Sequence, residues 1–219
     1  NGPTLFTLLN PEQTNINFQN TLTEGLNTNI LMYEYFYNGG GVAAGDFNKD
    51  GLVDIYFTSN MDENKLYLNK GNMQFEDITL LSGAGGRSGP WKTGVNAVDI
   101  NADGKLDIYL CYSGALPPEK RANQLFINTG NDNLGRPRFE ERAEAYGLAS
   151  TGFSNQSYFL DYDKDGDLDM LLLNHNPKNL PLLNETGTAE LFKQDSPEKG
   201  LRLFNQTNGK FADVTTTSG

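Results

Sequence analysis

The chain has 219 residues, 24 glycines and a formal net charge of −11. This length allows a substantial buried core, and the single cysteine, Cys111, excludes an internal disulfide framework and a cysteine-rich metal site. The sequence contains no apolar run of about 18 residues that would predict a membrane-spanning helix, and no basic stripe that would indicate binding to nucleic acid.

Residues 1–40 precede a repeated pattern, and we expect them to form an N-terminal arm or a docked leader strand. The apolar positions that favour docking are Phe6, Leu8, Leu9, Ile16 and Phe18. The aromatic run at residues 33–37 is interpreted as a half-buried strand, with a sugar-stacking platform as the alternative. The chain starts at Asn1 and not at a methionine, which indicates a processed or trimmed start.

A nine-residue acidic pattern, Asp-x-(Asn/Asp)-x-Asp-Gly-x-x-Asp, then occurs at residues 46–54, 99–107 and 161–169. The glycine at its sixth position predicts a sharp turn, because glycine adopts positive φ without steric cost. Oxygen atoms from the other positions can then converge on one hard cation. We expect Ca²⁺, because Mg²⁺ retains its waters and Zn²⁺ prefers nitrogen or sulfur ligands.

The predicted ligands are the side-chain oxygens at positions 1, 3, 5 and 9 and the backbone carbonyl at position 7. In the first loop they are Asp46, Asn48, Asp50, Leu52 and Asp54. In the second loop they are Asp99, Asn101, Asp103, Lys105 and Asp107. In the third loop they are Asp161, Asp163, Asp165, Asp167 and Asp169. About three calcium ions, one per loop, are therefore expected.

Two other interpretations of the loops exist. An EF-hand requires an acidic residue at position 12, where this chain has Phe57, Leu110 and Leu172. Metal-free turns stabilised by Asp and Asn side chains remain the alternative. The loops hold ten carboxylates at ligand positions, which is nearly the whole negative excess, so the acidity itself points to cation sites.

Each acidic loop is flanked by strand candidates, and four such strands repeated in sequence are typical of β-propeller blades. In the first unit the strands are predicted over residues 41–44, 54–58, 65–69 and 74–78. The expected fold is all-β, with four-stranded antiparallel blades and calcium-binding hairpin loops. The expected division is an arm over 1–40 and blades over 41–89, 90–151 and 152–219. The third blade carries a rim insertion at 176–200, with a helical turn near 188–193.

The phrases GGGVAAGDFNKDGLVDIYFTS, NKLYLNKGNMQFEDIT and DYDKDGDLDMLLLNH resemble the FG-GAP/VCBS repeats of integrin-α-type β-propellers. Over about residues 30–219 the chain is most similar to bacterial FG-GAP proteins related to the cartilage acidic protein family. This resemblance implies calcium in the blade hairpins, a seven-bladed ring and export, in many members as outer-membrane lipoproteins of Bacteroidota. Three blades are too few to close a ring, so we expect the N-terminal part, or a trimmed piece, of a longer protein.

Catalytic arrangements are scarce in the sequence. His175 is the single histidine, which argues against a catalytic triad or a histidine metal centre, so no catalytic residue is assigned. The acidic residues around Arg142 are interpreted as a solvated patch, and Trp91 as a buried anchor between blades.

The expected function is a non-enzymatic, calcium-binding surface module that binds a protein or glycan partner. It would act in the bacterial outer membrane, the periplasm or outside the cell. A related expectation is an accessory subunit of an outer-membrane complex, held there by its partner or by a lipid anchor outside this chain. The alternative is a carbohydrate-active enzyme, a polysaccharide lyase or hydrolase, on the same propeller.

Overall fold

The computed structural model describes residues 5–175, 184–198 and 200–218, which form three four-stranded antiparallel sheets. The first sheet contains β1 Val42–Gly45, β2 Asp54–Phe57, β3 Lys65–Asn69 and β4 Phe75–Asp77. The second contains β5 Lys92–Val98, β6 Asp107–Tyr112, β7 Gln124–Asn131 and β8 Pro137–Glu141. The third contains β9 Ser154–Leu160, β10 Asp169–Asn174, β11 Gly200–Thr207 and β12 Lys210–Asp213. The predicted all-β class with four-stranded antiparallel units is confirmed.

Helices in the described residues are short. They are α1 Pro11–Thr14, α2 Thr79–Ser82, α3 Pro118–Arg121, α4 Ala143–Tyr146 and α5 Glu185–Phe192. Within these described ranges, no helix combines the length and the apolar character that a membrane crossing requires. The helices therefore connect strands, and the sheets form the framework.

The sheets pack face to face in chain order, because successive side chains of a strand point to opposite faces. One core lies between the first and second sheets and includes Tyr56 and Leu66 packed against Ile108 and Leu110. A second core lies between the second and third sheets, where Tyr109 and Cys111 meet Met170 and Leu172. Tyr56 and Tyr109 occupy the same repeat position, so each sheet presents the same face to the sheet that follows it.

These two tyrosines also secure their sheets through their hydroxyl groups. Tyr56 donates to the carbonyl of Ala84 at 2.6 Å and accepts from Asn64. Tyr109 donates to the carbonyl of Leu148 at 2.9 Å and accepts from Asn123. Burial raises the pKa of both phenols, so they remain neutral donors. One bond of each pair ties the second strand to the link that leaves the sheet, and the other ties it to the residue before the third strand.

The first strands of the three sheets lie side by side, and polar side chains at this edge join one sheet to the next; Thr58, the first of them, directly follows β2. Thr58 donates to the carbonyl of Thr93 at 2.6 Å, and Thr93 donates to the carbonyl of Ser154 at 2.7 Å. Glycine permits this close approach: a Cβ on Gly94 would lie 2.5 Å from the carbonyl oxygen of Asn155. The three sheets therefore converge at their first strands and diverge toward their fourth.

The arm differs from its prediction. Phe18 stacks on Phe57 with the ring centres 4.7 Å apart, so this part docks as expected. However, residues 5–40 contain α1, turns and one isolated bridge instead of a docked strand. Phe6 and Leu8 are 91% and 97% exposed, because nothing in the described chain covers them. The docked-strand interpretation is wrong for these two residues.

The aromatic run at 33–37 forms turns, so the predicted strand is wrong there as well. Tyr33 and Phe36 are three residues apart and both point inward, where they pack on Trp91 at ring-centre distances of 5.2 and 5.3 Å. A spacing of three matches a turn and not a strand. Trp91 is buried as expected, in a cluster that joins the arm to Met61 of the first unit.

The insertion in the third sheet contains α5, which overlaps the predicted helical turn at 188–193 and begins three residues earlier. Asn184 accepts a bond from the backbone N–H of Gly187 at 2.9 Å, and this cap explains the earlier start. Residues 176–183 and 199 of the predicted insertion lie outside the described residues.

We expect Gly94→Ala to lower the free energy of unfolding by about 1–3 kcal/mol, because the added methyl group has no space between β5 and β9. Chemical denaturation followed by tryptophan fluorescence measures the change. Gly85→Ala is the matched control, since its Cβ would make only an ordinary 3.5 Å contact with Thr79. Equal stability of the two variants would contradict the close packing of the first strands.

Candidate metal centre

The three acidic loops occupy equivalent places, each joining the first and second strands of its sheet. Their shared turn depends on two residues with positive φ, at the fourth and sixth positions of the loop. The sixth-position glycines, Gly51, Gly104 and Gly166, have φ of 87°, 80° and 97°, as the sequence predicted. The fourth-position residues, Lys49, Ala102 and Lys164, also have positive φ, between 56° and 65°. The pattern did not predict this second feature, because no glycine marks it.

Side-chain oxygens in the loops accept bonds from the loop backbone, which holds the acidic side chains over the turn. In the first loop, Asp46 accepts from the N–H groups of Asp50 at 3.1 Å and Gly51 at 2.8 Å. In the second, Asp99 accepts from Asp103 at 3.0 Å and Gly104 at 2.8 Å. The third loop retains the bond from Gly166 to Asp161 at 3.3 Å. One geometry is therefore built three times.

The ninth-position aspartate of each loop is buried at the start of the second strand, and it connects the beginning of the loop to the third strand. Its Oδ2 accepts from the second loop residue, and its Oδ1 accepts from a backbone N–H of the third strand. For Asp54 the donors are Phe47 and Asn69, at 3.0 and 2.8 Å. For Asp107 they are Ile100 and Asn128, at 3.2 and 2.7 Å. For Asp169 they are Tyr162 and Gln206, at 3.1 and 2.8 Å.

These bonds do not exhaust the aspartate oxygens, because an ionised carboxylate accepts about four bonds. The ninth residue therefore links its loop to the third strand, a role that the sequence did not predict. Its role as a metal ligand stays a prediction. The predicted carbonyl ligands of Leu52, Lys105 and Asp167 accept no hydrogen bond from the described residues, which leaves them free for a cation.

The third loop is the best prepared for a cation. One oxygen from each of Asp161, Asp163 and Asp169 lies within 4.8 Å of the others, and three carboxylates this close repel one another unless a cation or protons intervene. Carboxylate oxygen is the ligand that Ca²⁺ prefers. The residues present thus fit a hard divalent cation.

The first two loops differ from the third in the contacts that their third- and fifth-position side chains make. Asn48 donates to the Asp50 carboxylate at 2.9 Å and to the carbonyl of Gly135 at 3.2 Å. In the second loop Lys105 forms an ion pair with Asp103 and lowers the pKa of that carboxyl. Both pairings would have to rearrange for Asp50 and Asp103 to coordinate a cation. We therefore expect these loops to bind more weakly than the third.

A repeated asparagine of the third strand completes each loop, and the sequence interpretation missed its role. Asn69 donates to the carbonyl of Val53 at 2.9 Å. Asn128 donates to Leu106 at 3.2 Å and also to Phe47 of the first loop at 2.8 Å. Asn205 donates to the Asp163 carboxylate at 2.8 Å. The signal was present, because an asparagine opens the turn after the third strand in all three units, but it indicated only a turn.

Burial is the main cause of the raised pKa of two ninth-position aspartates. It raises the pKa of Asp54 and of Asp107 to about 6, against the opposing effect of their backbone N–H donors. Charges of the neighbouring carboxylates add to the rise in both cases. The pKa of Asp167 is raised by desolvation and by the carboxylates beside it. A bound cation would favour the ionised forms.

We expect Asp54 and Asp107 to titrate near pH 6 in the metal-free protein. Because an unfolded aspartate titrates near pH 3.9, the folded state holds more protons between these values. The contribution of the two groups to stability is therefore complete below about pH 4 and lost as the pH rises to 6. Calcium should lower both pKa values. Carboxyl carbon-13 NMR titration, with and without calcium, measures them, and titration of both near pH 4 without metal would contradict the burial argument.

Comparison with known proteins agrees with this repeated geometry. Residues 46–110 match the family model described as FG-GAP-like repeat. Over 148 residues the chain is 31% identical to cartilage acidic protein 1 of Mus musculus and of Homo sapiens, which covers 66% of this chain and 22% of each relative. Over 186 residues it is 28% identical to cartilage acidic protein 1 of Xenopus tropicalis, which covers 82% of this chain and 27% of that relative.

The matched segment thus spans about a quarter of the length of these relatives. The matched model covers the first two acidic loops, β2 to β5 and most of β6. Together, the comparisons support an FG-GAP-like repeat in this chain and its homology to cartilage acidic protein 1.

Proposed function

We propose that this chain is a non-enzymatic, calcium-binding part of a β-propeller that serves outside the cytoplasm as a scaffold for a protein or glycan partner. The observation that carries the proposal is the third acidic loop, where Asp161, Asp163 and Asp169 converge at the same structural position as two related loops. Homology to cartilage acidic protein 1 supports a binding or scaffold role over catalysis.

Calcium in these loops would act on the structure. Each loop joins the first two strands of a sheet, and its ninth aspartate also reaches the third strand. A cation that draws the carboxylates together would therefore stabilise three strands at once and remove the repulsion within the loop. Sites of this kind in extracellular modules have dissociation constants of roughly 0.1–1 mM, which suits a protein that meets abundant calcium after export.

The repeated packing supports a ring with more blades. The third sheet presents Tyr158 and Leu201, which are 53% and 55% exposed, on the face that carries Leu171. Leu171 occupies the repeat position of Tyr56 and Tyr109, which in the other sheets face the following sheet. A further sheet of the same kind would cover this face. We therefore retain blades at 41–89, 90–151 and 152–219 as parts of a larger propeller.

For location, the bacterial outer membrane, the periplasm and the extracellular space all remain consistent with this module. Exposed sheet faces of this sort also suit an accessory subunit that is covered by neighbours in an outer-membrane complex. Affinity purification from the native membrane would distinguish that arrangement from a free extracellular module, because a stable complex retains its neighbours after mild solubilisation.

We expect calcium to raise the melting temperature, and the double variant Asp161→Asn/Asp163→Asn to lose binding at the third loop. A site held at 100 times its dissociation constant adds about 2.7 kcal/mol to the free energy of unfolding. Isothermal titration calorimetry counts the sites, and thermal melting with and without a chelator measures the stabilisation.

Asp62→Asn is the matched control, because Asp62 is an exposed aspartate outside the loops. The control should bind and melt as the parent does, while the double variant should show one site fewer. An unchanged melting temperature after chelation, together with no heat of calcium binding, would overturn the proposed calcium function.

A further inference from the structure

A separate cavity of about 270 Å³ lies where the arm meets the first strands of the sheets. It is distinct from the acidic loops, none of whose residues lines it. Its size is slightly below the roughly 300–1,000 Å³ typical of small-molecule sites, which suits one small ligand or one unit of a chain. Part of its wall is the glycine backbone at residues 39–41, where no side chain restricts access.

The lining combines aromatic rings with carboxamides. Tyr33, Tyr35 and Trp91 supply the rings, and Asn38, Asn155 and Gln156 supply the amides. No Asp, Glu, Lys, Arg or His belongs to the lining in the part of the chain that the structure describes. A charged ligand would therefore find no counter-ion there, whereas a neutral polar ligand would lose little on entering.

The amides retain unused hydrogen-bonding capacity. The Oδ1 and Nδ2 atoms of Asn38 and Asn155 have no partner among the residues that the structure describes. Gln156 uses its Oε1 as an acceptor for Ser157 and Asn96, at 3.1 and 3.4 Å, which leaves its Nε2 available. Carboxamides both donate and accept, so this set can satisfy hydroxyl groups, which do the same.

One aromatic wall is held in place from outside the cavity. The hydroxyl of Tyr35 lies 2.6 Å from Nε2 of His175, and the two rings meet edge to face at 4.6 Å. Glu34 approaches the same nitrogen at 3.4 Å. Tyr35 therefore presents a fixed, partly exposed ring beside the amides. An aromatic face offers an apolar surface for the C–H face of a sugar ring, while amides bind its hydroxyls.

We propose that this cavity binds a neutral carbohydrate unit. The inference deepens the proposed binding function by assigning the ligand a chemical class and a place. The lining favours an uncharged sugar over a uronic acid, because it contains no cation to meet a carboxylate. It also favours binding over hydrolysis, because the described residues that line the space include no pair of carboxylates, which two-carboxylate glycoside hydrolysis requires.

The test uses the 219-residue chain in calcium-containing buffer and saturation-transfer-difference NMR with a panel of neutral methyl glycosides. At least one glycoside should show signals from protons on one face of its ring. The variant Asn38→Ala/Asn155→Ala should weaken its affinity about 10-fold or more, because two hydrogen bonds are lost. Asn133→Ala, an exposed asparagine in the β7–β8 turn, is the matched control and should bind as the parent does.

Asn38→Ala alone serves if the double variant melts below the parent, because Asn38 is exposed and its loss leaves no buried group unpaired. The absence of signals from every glycoside would overturn the carbohydrate site, as would equal binding by the variants. Signals confined to N-acetyl amino-acid amides in a parallel panel would also overturn it, in favour of a peptide ligand. Calcium-dependent melting is recorded on the same samples, so loss of the carbohydrate site is distinguishable from failure of the calcium function.

Discussion

The buried aspartate at the end of each acidic loop is the contact on which the rest of the sheet depends. It is the first residue of the second strand, yet its two oxygens reach the start of the loop and the backbone of the third strand. A buried carboxylate is unfavourable unless its bonds are satisfied, so this residue forces the loop and the third strand into one arrangement. Asp54, Asp107 and Asp169 repeat the contact, which explains why three sheets of different length share one turn.

Stacking of the sheets follows from the same residue. Once the ninth aspartate sets the register of the second strand, alternation places the next two side chains on opposite faces. Tyr56 and Tyr109 then point toward the following sheet, and Ile108 and Met170 toward the preceding one. Full burial of such side chains contributes roughly 1.5–3 kcal/mol each. The hydrogen bonds of the ninth-position aspartate therefore direct the apolar packing, although the packing supplies most of the stabilisation.

The two candidate sites have different proposed roles, the acidic loops in structure and the cavity in ligand recognition. The acidic loops lie at one end of the strand pairs, and the hydrogen bonds of their ninth aspartates hold strands together. The amide and aromatic cavity lies at the converging first strands, where glycine backbone and arm residues meet. The arm helps to form this cavity, because its turns bury Tyr33 and Phe36 against Trp91 and bring Tyr35 beside the amides.

Much of the fold was predictable from sequence because its signals are local. The acidic pattern, its glycine and the alternating apolar runs specify a turn between two strands, and β3 occupies the range that the sequence predicted, while β1, β2 and β4 differ by a residue or two. Asn69 and its counterparts were predicted only as turn formers, because their partners in the loop are 16 or more residues away. The strands predicted for the arm were wrong because exposed Leu8 and buried Phe36 are equally apolar, so the sequence does not show which of them is buried. The sequence alone determined the repeat and its acidic positions, whereas tertiary structure decided which aspartates are buried and which amides and rings share a cavity, because burial depends on contacts between distant segments.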